Sequence, residues 1–82
     1  MAEIIAIAMK GAAKTQIMYK ANLSFGQVKW YLAFLLEHGL LEKSVQGGRV
    51  IYKSTARGMA FMERQQRVVD LLNEDQHGTS VV

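Results

Sequence analysis

The chain has 82 residues, half of them apolar, with 10 Lys and Arg against 7 Asp and Glu. That length makes one small domain and leaves no room for a second, and the apolar share argues against a disordered tail. The absence of cysteine removes disulfides and thiolate zinc sites, and no uninterrupted apolar run approaches the roughly 20 residues that span a bilayer.

His38 and His77 are far apart in sequence with no ligand cluster beside them, so neither a metal nor a cofactor is expected. The apolar stretch Ile4 to Met9 is short for a secretory signal and has no base ahead of it, which makes a cytoplasmic location the expectation. Charge is unevenly spread. Residues 1–60 hold eight bases (Lys10, Lys14, Lys20, Lys29, Lys43, Arg49, Lys53, Arg57) and three acids (Glu3, Glu37, Glu42). Residues 61–82 hold two bases (Arg64, Arg67) and four acids (Glu63, Asp70, Glu74, Asp75). The first part suits a polyanion; the second suits another task. A domain this small buries only about 60–65% of its unfolded surface, so oligomerisation is expected to assist it.

Ala2 to Lys10 has the apolar spacing of a helix at Ile4, Ile5, Ala8 and Met9, and Gly11 is its stop. Lys14 to Ala21 is a second short helix with Ile17, Met18 and Ala21 on one side, and Asn22-Leu23 makes a tight link. Ser24 and Gln27 then have capping-box spacing, opening a third helix that runs to His38 with Gly39 as its stop. At 100° per residue its inward stripe is Val28, Leu32 and Leu35, flanked by Phe25, Tyr31 and Leu36. Gly26, Trp30, Ala33 and Glu37 face the other way, and a tryptophan there is unusual for a purely solvated face.

Beyond Gly39 the period becomes strand-like. Leu40 to Val45 and Arg49 to Ser54 form a hairpin about the turn Gly47-Gly48, with Val45 facing Val50 and Glu42 facing Lys53. Thr55 caps a last helix of about 20 residues ending near residues 73–75, and residues 76–82 are expected to form a flexible tail. Residues 1–75 are thus one domain, with its helix over residues 55–75 reserved for dimerisation.

The order helix, helix, helix, hairpin, helix is mainly α with a small β component (α+β), the material of a helix-turn-helix followed by a wing. Three stretches carry a resemblance: KTQIMYKANLS at residues 14–24, LLEHGLL at residues 35–41 and YKSTARG at residues 52–58. Together they resemble the small archaeal winged-helix DNA-binding proteins, including chromatin-associated proteins that dimerise through a C-terminal coiled coil. The resemblance covers about residues 3–65, although the final helix reads as shorter than in the coiled-coil members. It implies double-stranded DNA as partner, with the third helix in the major groove and the wing beside the backbone. It further implies a role in transcription regulation or chromatin, in the cytoplasm and associated with the nucleoid.

Read as residues, the N-terminal turns of the third helix hold the groups that reach base edges. Gln27 can pair with adenine, unless the capping box consumes it. Lys29 suits guanine or a phosphate, or is an ordinary solvated lysine. Gly26 permits close approach beside the cap Ser24. Trp30 is expected at an interface, against sugars, a thymine methyl or a partner subunit. Lys14, Thr15, Tyr19 and Lys20 on the second helix and Lys43, Arg49 and Lys53 on the wing are phosphate candidates, with Arg49 placed to enter a minor groove. Thr55, Gly58 and Tyr52 are assigned to architecture.

The last helix carries more apolar surface than a monomer needs. Met59 and Met62 are expected to close the core, while Phe61, Gln65, Val68, Val69 and Leu72 approximate a heptad seam for a homodimer. A palindromic site with half-sites about one turn apart would follow. The alternative is a winged-helix module in which Trp30 and Phe34 bind a protein partner and no DNA is touched. No acid pair, activated nucleophile, phosphate loop or metal cluster supports an enzyme.

Overall fold

The structure is a computed structural model that describes the backbone of residues 1–81 and the side chains of residues 1–73. Its elements follow the order α1 (Ala2–Ile7), a 3-10 turn (Ala8–Lys10), α2 (Lys14–Lys20), α3 (Phe25–Glu37), β1 (Leu41–Gln46), β2 (Arg49–Ser54) and α4 (Ala56–Val81). The first predicted helix therefore tightens into 3-10 geometry for its last three residues before Gly11, at φ 92°, turns the chain.

Local chemistry explains most of the boundaries. Ser24 Oγ accepts from the Gln27 N–H at 3.2 Å, and Gln27 Oε1 accepts from the Ser24 N–H at 2.9 Å, completing the predicted capping box. α2 has only half of such a box: Gln16 Oε1 accepts from the Ala13 N–H at 2.9 Å, and alanine has no oxygen to return the bond. Both helices end in the same way. Asn22 (φ 55°) and Gly39 (φ 69°) take the left-handed conformation. The next N–H reaches back five residues, from Leu23 to Met18 at 2.9 Å and from Leu40 to Leu35 at 2.8 Å.

The hairpin register pairs Val45 with Val50 and Glu42 with Lys53, as the two-glycine turn requires. Gly47 and Gly48 both have positive φ, which the favoured two-residue turn demands at both positions. One further rung lies outside the hairpin. Ala12 exchanges two backbone hydrogen bonds with Tyr52, at 2.8 and 2.9 Å, so the loop before α2 is stitched to β2. Nothing in the apolar pattern around Ala12 announces this single-residue strand.

Ile4, Ile5, Ala8, Ala12, Ile17, Val28, Leu32, Leu35, Leu40 and Leu41 form the buried core, drawing on the first three helices and the root of the wing. The inward stripe of α3 is as predicted, with one exception. Phe25 is 63% exposed, because in the first turn of the helix it lies past the end of the core. Tyr52 packs against the core as expected.

α4 starts at a crowded corner. The Thr55 N–H donates to the Leu40 carbonyl, Thr55 Oγ1 donates to the Gly39 carbonyl at 2.6 Å, and the Gly58 N–H donates to Thr55 Oγ1 at 3.0 Å. The Ser54 hydroxyl donates to the Ile5 carbonyl, tying the same corner to α1. A Cβ on Gly58 would lie 2.1 Å from the Leu40 carbonyl oxygen. The helix then continues to Val81, beyond the predicted end near residues 73–75 and through the predicted tail. No proline interrupts the stretch, and a glycine such as Gly78 costs only about 1 kcal/mol inside a helix. Val82, the last residue of that tail, lies outside the described residues. The long helix draws the molecule out to 58 × 26 × 19 Å.

The corner yields a paired test. Gly58→Ala meets backbone that cannot rotate aside, so a net loss of about 1–3 kcal/mol is expected in urea unfolding despite alanine's helix propensity. Gly26→Ala, in α3 with no atom within 4 Å of the new Cβ, is expected to gain about 0.5–1 kcal/mol. Equal shifts in one direction would refute this packing account.

Candidate nucleic-acid interface

With Val28, Leu32 and Leu35 sealed inside, α3 turns Gly26, Gln27, Lys29, Trp30 and Ala33 to solvent. Trp30 is 59% exposed and stacks on Phe34 at 5.5 Å between ring centroids, with 16° between the planes. Phe34 in turn meets His38 at 4.2 Å, and Tyr31 presents its edge to Trp30 at 5.2 Å. Residues four apart share a helix face, so Trp30, Phe34 and His38 form a column along α3.

The cap constrains what Gln27 can offer. Its side-chain oxygen is held by the Ser24 N–H, leaving Nε2 as a donor only. Two-point pairing with adenine needs both atoms, so the oxygen would have to use its second lone pair beside the cap or release the cap. The sequence left both uses standing; the geometry has the capping one. Gly26 has open space where a side chain would be, so packing does not demand a glycine there.

On α2, Thr15, Tyr19 and Lys20 are exposed, with Tyr19 at 83%. Lys14 is half-buried, and its Nζ sits 4.2 Å above the centre of the Phe25 ring. That cation–π contact ties the start of α2 to the start of α3 and places the charge beside the cap. Phe25, read from sequence as a flank of the inward stripe, belongs instead to this exposed edge. Its position at the first residue of α3 was the available signal.

The wing cations divide. Lys43, Arg49 and Lys53 are all exposed. In the observed register Lys43 pairs with Tyr52, while Arg49 pairs with Gln46 and Lys53 with Glu42. Alternation along a strand therefore sets Lys43 on one face of the ribbon and Arg49 with Lys53 on the other. As phosphate candidates the three stand together in the sequence, although the expected pairing of Glu42 with Lys53 already implies the split. Glu42 also sits against Lys53 and offsets part of its charge.

Along α4, Phe61 and Met62 pack against the core, while Met59 is half-buried. Phe61 thus closes the domain in the place expected of Met59, because it lies on the side of α4 that meets the core. Gln65 is exposed, and Val68, Val69, Leu71 and Leu72 are each about half exposed. Among the described residues no group of three or more His, Cys, Asp or Glu is placed to hold a metal ion, and no helix is long and apolar enough to cross a membrane.

No protein with curated annotation matches the chain. Among solved structures, the DNA-binding protein Sso10a-2 from Sulfolobus solfataricus is similar, with a TM-score of 0.68 and 21% sequence identity. The likeness covers 96% of this chain and 90% of that one, so the shared architecture extends into α4. The sequence signature of the winged helix-turn-helix family matches residues 1–73. The three helices, the glycine-tipped wing and the helix behind it are those of this family, and the chain belongs to the winged helix-turn-helix proteins.

Proposed function

We propose that the protein binds double-stranded DNA, with the N-terminal turns of α3 in the major groove and the wing beside the backbone, as a transcription regulator or small chromatin protein. The observation that carries this reading is the two-sided character of α3. One stripe is wholly buried, and the other offers Gly26, Gln27, Lys29 and Trp30 to solvent. A major groove about 12 Å wide accepts a helix presented in that way. Between residues 14 and 53 there are six bases and two acids. Of those acids, Glu37 ends α3 away from its N-terminal turns, and Glu42 is already opposite Lys53.

In this assignment Lys29 is the principal group for base edges or a nearby phosphate, and Gln27 contributes a single donor. Ser24 holds the end of α3 rigid as its cap. Lys14, Thr15, Tyr19 and Lys20 take phosphates along α2. On the wing, Arg49 enters or borders the minor groove with Lys53 on its side, and Lys43 serves the opposite edge. Trp30 packs on sugars or a thymine methyl.

The protein is proposed to act as a homodimer joined through α4. Val68, Val69, Leu71 and Leu72 leave an apolar stretch in water with no cover from their own domain; Gln65 continues the same side of the helix, and half-buried Phe61 stands where that side leaves the core. A specific observation also favours a second reading. The Trp30–Phe34–His38 column is the kind of aromatic surface that centres protein interfaces, so a winged-helix module for a protein partner is the rival.

Four measurements decide among these. If four to six phosphates are contacted, log K for a short duplex should fall against log salt with a slope of about −4 to −5, and a flat response removes DNA from the account. Arg49→Ala should weaken all sequences alike. Gly26→Ala should weaken duplex binding while stabilising the fold, because its new methyl meets only the duplex; undiminished affinity would refute close approach at Gly26. In sedimentation, the wild type should be dimeric and Val68→Lys with Leu72→Lys monomeric, and a monomeric wild type would overturn the role given to α4.

A further inference from the structure

Between the C-terminal end of α3 and the first turns of α4 lies a cavity that the proposed duplex contacts do not use. Phe34 and His38 form one wall, Arg57, Phe61 and Arg64 the other, and buried Leu40 contributes an apolar surface between them. It offers about 370 Å3 and is open to solvent on one side. That falls in the lower part of the roughly 300–1,000 Å3 range of small-molecule sites, enough for one or two fused rings.

The lining is specific in charge and shape. Arg57 and Arg64 are seven residues apart, two turns along one side of α4, with Phe61 between them. No acidic side chain lines the cavity. Both guanidinium groups are solvent-exposed cations at the rim of the cavity, and a carboxylate answers one with paired, charge-assisted hydrogen bonds. The aromatic walls favour a flat ring over an aliphatic chain, since Phe34, stacked on Trp30 and touching His38, is held in one orientation. We infer that this cavity is a binding site for a small aromatic carboxylate, held by Arg57 or Arg64 with its ring against Phe34 and Phe61. The inference goes beyond DNA binding and stands or falls without it.

The test uses the full chain and 1-naphthoate as probe, with 1-naphthamide as its uncharged counterpart, followed by calorimetry and by amide chemical shifts. The expected result is saturable binding of naphthoate, with shifts centred on Phe34, His38, Arg57 and Phe61. Naphthamide should bind about tenfold more weakly, or worse, reflecting the loss of a charge-assisted contact. Arg57→Gln and Arg64→Gln, both at exposed positions, should melt like the wild type, and at least one should lose about tenfold in naphthoate affinity. Equal binding of acid and amide, shifts confined to another surface, or undiminished affinity in both glutamine variants would each overturn the site. So would absence of saturation because a second copy already fills the cavity, shown by shifts of Phe34 and His38 on dilution through dimer dissociation.

Discussion

The carbonyl groups of Gly39 and Leu40 are the meeting point of the fold. Gly39 lets α3 end and its carbonyl receives the Thr55 hydroxyl, while Leu40 accepts the Thr55 N–H and lies so close to Gly58 that α4 can carry no side chain there. Three elements that must be placed relative to one another are therefore set by a few backbone atoms: the end of α3, the root of the wing and the start of α4. Ser54, bonded to the Ile5 carbonyl, fixes the same point to α1. Apolar burial supplies the larger share of the driving force but is non-directional. The hydrogen bonds and the missing Cβ at this corner give the packing one angle rather than several.

A second clasp acts at the other end of the same assembly. The Ala12–Tyr52 rung holds the loop before α2 against β2, and the Lys14 cation over Phe25 holds α2 against the start of α3. The angle between α2 and α3, and the height of the wing beside them, are thus determined on both sides. In the proposed complex these are the distances that match phosphates to cations, so the interface depends on contacts that touch no nucleic acid.

Most of this frame was legible in the sequence because its signals are local. Ser24 with Gln27, Gly39 after His38, the Gly47-Gly48 pair, and Thr55 three residues before Gly58 each specify a piece of backbone within four residues, and each is found where expected. What escaped is long-range or lies at an element's margin. The Ala12 rung is one residue long and has no periodicity to betray it. Phe25 carries the right phase for the core but sits one turn too early. The end of α4 is unmarked in the sequence because polar residues after Leu72 remove the amphipathic pattern without supplying a stop. The cavity between α3 and α4 joins residues 34 and 38 to residues 57, 61 and 64, a juxtaposition that only the packed corner creates.

The placement of the sole tryptophan has a spectroscopic consequence. Trp30 lies on the side of α3 opposite the buried stripe and remains more than half in water in the folded chain. Its emission colour should therefore differ little between native and denatured protein, apart from the influence of the neighbouring Phe34 and Tyr31 rings. A macromolecule that covers α3 could remove the larger share of its exposure, which folding leaves in place. The chain thus carries an indole well placed to report company.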